Sequence, residues 1–278
     1  DTSFNGFQPF LKINFFPLRK TILDFNIKTQ VLGYTSGDLE CNLSLKYQVN
    51  PDKSNFLKAD FKFSQVEPDW IYRQILTNHF LWENNFYKQK FIQAGAGFYS
   101  QNISAGFSYT NIRDALYFDI IARPKQMSVP VNLLSARINA SFNLGDFLLH
   151  NSLLFNYVAN YDVLRYPLVQ DVIEVSWGRT LFKSALSFRT GVNVAWNTSY
   201  YALAYNPATG IFHLQNSTSI GNYPYGDFFV NFKIKRARIF VKYRHFNSGW
   251  TGMNYYDSPH YPSPESAVKF GVSWMFHD

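Results

Sequence analysis

The sequence holds one cysteine and three methionines in 278 residues. The lone Cys41 excludes a disulfide framework within the chain and a four-cysteine zinc site. Charge is scarce, at 16% of residues, against roughly 25% in ordinary soluble domains. No apolar run approaches the ~18 residues of a membrane-crossing helix, which excludes a helical membrane protein. The first ten residues, DTSFNGFQPF, lack the basic and apolar regions of a signal peptide. Nucleophile-elbow, phosphate-loop and EF-hand patterns are missing, and no two of the six histidines are spaced as a zinc pair. No catalytic residue, metal or cofactor is therefore expected. Aromatic residues, by contrast, are plentiful: 28 Phe and 19 Tyr exclude a solvated, disordered chain. The net charge of +7 invites either nucleic acid or anions as partners, and the placement of the charges decides between them.

Helical periodicity is almost absent, and two-residue alternation takes its place. Along residues 133–144, Leu134, Ala136, Ile138, Ala140, Phe142 and Leu144 alternate with Ser135, Arg137, Asn139, Ser141 and Asn143. Thirteen such segments are expected as strands: 8–18, 21–33, 39–50, 55–65, 89–99, 102–111, 132–144, 148–158, 171–181, 185–197, 225–235, 237–247 and 267–277. Most exceed the roughly 5–6 residues of a globular strand and match the about 9–11 of a tilted membrane-crossing one. Short turns at 18–21, 50–55, 100–102, 145–146, 182–184 and 235–237 alternate with longer loops at 34–38, 66–88, 112–131, 159–170, 198–224 and 248–266. A soluble sandwich has no reason to sort its loops by parity, whereas an outer-membrane barrel carries its long loops outside the cell. The expected fold is all-β, a transmembrane antiparallel up-and-down β-barrel formed by residues 1–278 as one domain. The last strand follows a long loop, so the C-terminus is expected in the periplasm. Bacterial barrels normally close with an even strand number, so the thirteen strands imply a complete barrel of 14 or more and a longer chain.

In a barrel the apolar face meets lipid and the polar face points inward. The expected inward cations are Lys12, Lys28, Lys46, Lys58, Lys62, Arg137, Arg189, Lys233, Lys235, Arg238, Lys242, Arg244 and Lys269, against the acids Asp24, Asp60 and Glu174. Basic residues that alternate with membrane-type apolar ones form no exposed nucleic-acid stripe. A low-dielectric wall carrying such a ladder instead concentrates anions in a water-filled pore. The pore-lining set is expected to be Lys58, Lys62, Arg137, Arg189, Lys233, Lys235, Arg238, Lys242, Arg244 and Lys269. Structural pairing of these cations, or rim contacts with lipid phosphates, is the competing account.

Trp177, Trp196 and Trp274 fall on apolar faces, with Tyr99, Tyr109, Tyr157 and Tyr243 near strand ends, as in interfacial aromatic girdles. The aromatics of the long loops, Trp70, Tyr72, Phe80 and Trp82 among them, suit either a constriction or packing on one another. His245 is expected at the interface, and His150 on the polar face, where Ser152 or Ser135 is its conceivable partner. Gly95 and Gly97 sit mid-strand and suggest a close approach in the wall. Cys41 shares the apolar set with Leu39, Leu43 and Leu45.

The stretches YPYGDFFVNFKIKRARIFVKYRHFNSG (223–249) and SPHYPSPESAVKFGVSWMFHD (258–278) add a second line of reading. Tyr223, Pro224, Asp227, Lys233, Lys235, Arg236, Arg238, Tyr243, His245 and Asn247 match the hairpin of the putative porin family of Bacteroidota. Pro259, His260, Tyr261, Pro262, Pro264, Phe270, Gly271, Trp274, Phe276 and Asp278 match the end of that family, while Ser266 and Ala267 replace a basic residue usual there. The chain thus resembles that family, strongly over about the last 60 residues and thematically before them. The resemblance implies a barrel in the bacterial outer membrane, longer than this chain, with no catalytic residues to carry over. It also implies an assembly signal at Trp274 and Phe276, read by the barrel-assembly machinery. The expected function is passage of small hydrophilic solutes, anions preferred. The alternative is a non-conducting barrel that docks other outer-membrane proteins in secretion, gliding or nutrient uptake. Expected partners are outer-membrane lipid and lipopolysaccharide, not nucleic acid.

Overall fold

Two-residue alternation becomes strand pairing along the whole chain. The structure, a computed structural model, describes residues 6–50, 55–160, 163–183, 185–250, 252 and 255–276. Residues 51–54 of the expected turn 50–55, Ser184 of the turn 182–184, and the terminal His277 and Asp278 lie outside the described residues. In chain order the elements begin with strands β1 (Phe10–Leu18), β2 (Thr21–Thr29), β3 (Leu39–Asn50) and β4 (Asn55–Val66), then a one-turn helix α1 (Trp70–Arg73). Next come β5 (Gln74–Leu76), β6 (Leu81–Glu83), β7 (Gln89–Tyr99), β8 (Ile103–Arg113), β9 (Leu116–Phe118) and β10 (Pro124–Gln126). They are followed by β11 (Val131–Leu144), β12 (Phe147–Val158), β13 (Val169–Leu181), β14 (Leu186–Asn197), β15 (Ala204–Asn206) and β16 (Ile211–His213). The last are β17 (Tyr225–Ile234), β18 (Ala237–Arg244), β19 (Tyr256–Ser258), β20 (Tyr261–Pro262) and β21 (Ala267–Trp274).

Thirteen strands form one antiparallel sheet in the order β1-β2-β3-β4-β7-β8-β11-β12-β13-β14-β17-β18-β21. They are the thirteen segments expected from alternation, with ends that move by at most four residues. The remaining strands pair as four small hairpins, β5-β6, β9-β10, β15-β16 and β19-β20, all inside segments expected to be loop. Among the described residues no helix is long and apolar enough to cross a membrane.

The chain divides into two compact units. One comprises Asp1–Ala136, Asn156–Tyr166 and Tyr201–Thr218. Its strands run in unbroken register over long stretches, as in Leu39↔Gln65 through Gln48↔Phe56 between β3 and β4. The close approach expected at Gly97 is present: a Cβ there would lie 2.9 Å from the carbonyl oxygen of Ala105. This unit buries apolar side chains at the long-loop ends of its strands. Ile112, Ala115, Val131, Val158 and Val163 form one cluster. Phe118, Ala122 and Ile211 form another, covered by Ile71, Tyr72, Phe80 and Trp82. The loop aromatics therefore pack on one another; Tyr72 stacks on Phe118 at 4.6 Å, and burial pushes its phenol above the ordinary range.

The other unit comprises Arg137–Phe155, Pro167–Tyr200 and Ser219–Asp278. Here β13 and β14 pair without a bulge from Gln170↔Asn197 to Leu181↔Leu186. Beyond them, β14, β17, β18 and β21 continue the ladder. Their apolar side chains are exposed, Phe270 at 79% and Val272 at 66%. In water such a face costs roughly 25 cal/mol per Å²; against hydrocarbon it costs nothing. The polarity is the inverse of a soluble sheet, since the face opposite the aliphatic one carries the ions.

Candidate functional site

Residues directly opposite in an antiparallel ladder point to the same face. The register therefore fixes which side chains share the polar face. In the first unit, Lys28 stands opposite Glu40, Asn42 opposite Lys62, and Lys46 opposite Lys58. In the second, Glu174, Asn193 and Asp227 form one cross-strand row. Arg189, Asn231, Phe240 and Gly271 form another, and Lys233, Arg238 and Ser273 a third. Lys242 stands opposite Lys269, and Arg244 opposite Ala267. Arg137 alternates with Asn139 and Ser141, whose side chains bond across to Ser152 and His150.

Among the described residues, four of the cations are paired on this face. Lys28 lies 2.6 Å from Glu40, Lys58 3.5 Å from Asp60, Arg189 3.0 Å from Glu174 and Lys242 2.6 Å from Asp227. Arg189 also donates from Nε to the Ser176 hydroxyl at 3.0 Å. Two of these acids, Glu40 and Asp227, were not among the three expected, and they lower the expected excess of positive charge. Both sit within the first three residues of a strand, where alternation is hardest to phase. A second correction concerns Lys235. It is not a wall residue but the first residue of the two-residue turn after Ile234, with φ +51°. The chain must reverse there, so the alternation cannot run through it.

Like charges directly opposite one another destabilise a ladder, yet this face holds three such pairs: Lys46↔Lys58, Lys233↔Arg238 and Lys242↔Lys269. In the first, Lys58 has Asp60 and Lys46 lies 4.0 Å over the Phe56 ring. In the third, Lys242 has Asp227. The middle pair lies in a concavity of about 470 Å³ with Arg189.

The matched hairpin ends in a buried clasp. His245 follows the last residue of β18, adopts φ +49° and is wholly buried. Its Nδ1 donates to the Pro264 carbonyl at 3.0 Å, and Nε2 meets the Tyr223 hydroxyl at 2.8 Å. The imidazole stacks on Tyr225 at 4.2 Å and meets Tyr255 edge-on at 4.6 Å. Asp227 accepts from the His245 backbone N–H at 2.9 Å, and Asn247 caps Gly226 N–H at 2.9 Å. This corrects the interfacial placement of His245: the left-handed turn after Arg244 breaks the parity that put it beside Tyr243. The partner of His150 is likewise Ser141, at 2.7 Å, and neither Ser152 nor Ser135, which bond to Asn139 and Asn156. These three rows are a polar ladder between β11 and β12. Among the described residues no three His, Cys, Asp or Glu side chains are grouped to hold a metal ion. Trp274 is on the apolar face, opposite Ala237, and Phe276 follows the strand, exposed.

Comparison with known proteins agrees with this architecture. Among curated proteins, none matches the chain. Among solved structures, the ferric enterobactin receptor PfeA of Pseudomonas aeruginosa matches at a TM-score of 0.69 and 12% identity, over 96% of this chain and 45% of the receptor. The siderophore receptor PirA of Acinetobacter baumannii matches at 0.66 and 8%, over 96% and 45%. The FrpB iron transporter of Neisseria meningitidis matches at 0.63 and 13%, over 95% and 44%. At these identities the likeness is one of fold, that of outer-membrane β-barrels, and the chain spans less than half the length of each receptor. The sequence matches the family described as Putative porin over residues 15–278, nearly its whole length. With an exposed aliphatic face, an ion-bearing opposite face and this match, the chain belongs to the putative porin family, a β-barrel protein of the outer membrane.

Proposed function

We propose that the protein passes small hydrophilic solutes across the outer membrane and prefers anions. The observation that carries this reading is the polar face, where Lys46↔Lys58, Lys233↔Arg238 and Lys242↔Lys269 stand opposite one another and cations outnumber carboxylates. A sheet selected for stability alone would alternate the signs. A wall that attracts anions gains from keeping them alike, because field lines focus between low-dielectric surfaces. Lys58, Lys62, Arg137, Arg189, Lys233, Arg238, Lys242, Arg244 and Lys269 line the path in this reading, and Lys235 marks its rim. The C-terminus then lies in the periplasm. Lipid and lipopolysaccharide cover the aliphatic face, and Trp274 with Phe276 serves the assembly machinery. No catalysis is assigned. The ligands of the solved receptors are not carried over, since a likeness at 8–13% identity is one of fold alone.

Planar-bilayer recording of the full-length protein in a KCl gradient tests the reading. A steady conductance with a reversal potential on the chloride side is expected. Replacing Lys233, Lys242 and Arg244 by Gln moves that potential toward zero. A folded barrel that does not conduct overturns the reading in favour of a docking barrel, and co-purification of partners then becomes the informative measurement.

A further inference from the structure

Among the described residues, Lys233↔Arg238 is the like-charge pair whose members have neither an ion pair nor a cation–π contact. The concavity of about 470 Å³ around them is lined by a third cation, Arg189, and by the neutral donors Ser187, Asn231 and Ser273. No carboxylate lines it; Glu174 reaches Arg189 from outside. Three cations and three neutral donors around one space form a set suited to an oxyanion. Guanidinium groups offer paired N–H bonds that fit phosphate geometry, with Lys233 as a point charge beside them.

One residue in the concavity breaks the charge pattern. Phe240 lies on the polar face between Arg238 and Lys242, where alternation calls for a polar side chain. It stands opposite Gly271, and its ring occupies the place of the missing side chain: a Cβ on Gly271 would be 2.5 Å from the ring's Cε1. The glycine thus seats an aromatic surface beside the cations. The concavity, about 470 Å³, lies in the range of small-molecule sites.

We propose that this concavity binds an organic phosphate, the phosphoryl group held by Arg238, Lys233 and Arg189 and a flat apolar body laid against Phe240. The inference rests on the reading of this face as solvent-filled and names a solute class for it. Equilibrium titration of the full-length protein in detergent at low salt tests it, with 4-nitrophenyl phosphate, inorganic phosphate and the neutral 4-nitrophenyl glucoside as probes. The aryl phosphate is expected to bind more tightly than inorganic phosphate, and the glucoside not at all. Arg238→Gln and Lys233→Gln each weaken both phosphates about tenfold or more, as loss of a charge-assisted bond predicts. Phe240→Ala weakens the aryl phosphate by about three- to tenfold and leaves inorganic phosphate unchanged. Heat-modifiable migration on gels verifies that each variant is folded.

Equal binding of the glucoside and the aryl phosphate overturns the proposal. So does unaltered affinity in Arg238→Gln, or an equal loss of both phosphates in Phe240→Ala. Displacement of the probe by lipopolysaccharide identifies a lipid headgroup as the source of the phosphate; no displacement identifies a soluble one. The titration needs no ion flow. Absent binding in a chloride-preferring channel therefore removes this site and leaves the channel reading intact, while binding in a non-conducting barrel does the reverse.

Discussion

His245 concentrates the structural logic of the loop end at a single residue. Both ring nitrogens are engaged, the ring stacks on Tyr225 and meets Tyr255 edge-on, and nothing of the residue is exposed. Replacement by alanine leaves the Pro264 carbonyl without its donor and opens a cavity between Tyr223, Tyr225 and Tyr255. Loss of that hydrogen bond costs about 0.5–1.5 kcal/mol, and the cavity adds to it. His245→Ala is expected to lower the unfolding midpoint and to open residues 246–266 to protease while the sheet stays intact. Limited proteolysis in detergent micelles checks this; a cleavage pattern like that of the parent protein would count against the clasp. Histidine at this position was legible as a motif residue but not as a buried one. Alternation phases a side chain only while the strand continues, and φ +49° at His245 ends it. The same limit hid Glu40 and Asp227, which lie at strand beginnings, and assigned Lys235 to the wall when it is in the turn.

At the scale of the element, the polar face of β18 and β21 trades stability for charge. Lys242 is held by Asp227, and Lys269 stands directly across from it. Lys269→Glu places a carboxylate directly opposite Lys242, in addition to Asp227. The added cross-strand pair is expected to raise stability by about 0.2–1 kcal/mol. The same substitution removes one positive charge from the wall and adds a negative one, so chloride preference falls. Chemical denaturation and reversal potential measured on the same variant check the two halves. A variant that is more stable and less selective supports a wall kept basic for its work; unchanged selectivity would assign Lys269 to structure alone. The thirteen long strands were legible because each keeps one face for lipid over eight to fourteen residues, a signal local to the strand. The four small hairpins were not. β9 and β16 have three residues each, and they form because Phe118 and Ile211 are buried beneath Tyr72 and Trp82. That packing joins segments more than a hundred residues apart, and no window of sequence holds it.

Across the whole molecule, the edges of the sheet set the last constraint. Among the described residues β1 has one strand neighbour, β2, and β21 has one, β18. All nine residues of β1 are exposed, and Leu11, Ile13 and Phe15, opposite Ile27, Phe25 and Leu23, are suited to hydrocarbon and not to water. Lipid cannot satisfy a backbone N–H or C=O, and each one left unpaired in the bilayer core costs several kcal/mol. Both edges are therefore expected to be hydrogen-bonded in the membrane. Amide hydrogen exchange of the protein in native outer membrane should find the outward-bonding amides of Phe10–Leu18 as slow as those of Leu39–Asn50, which is paired on both sides. Exchange in seconds along β1 would mean that water reaches that edge, and the barrel would then be open there or hold it outside the lipid.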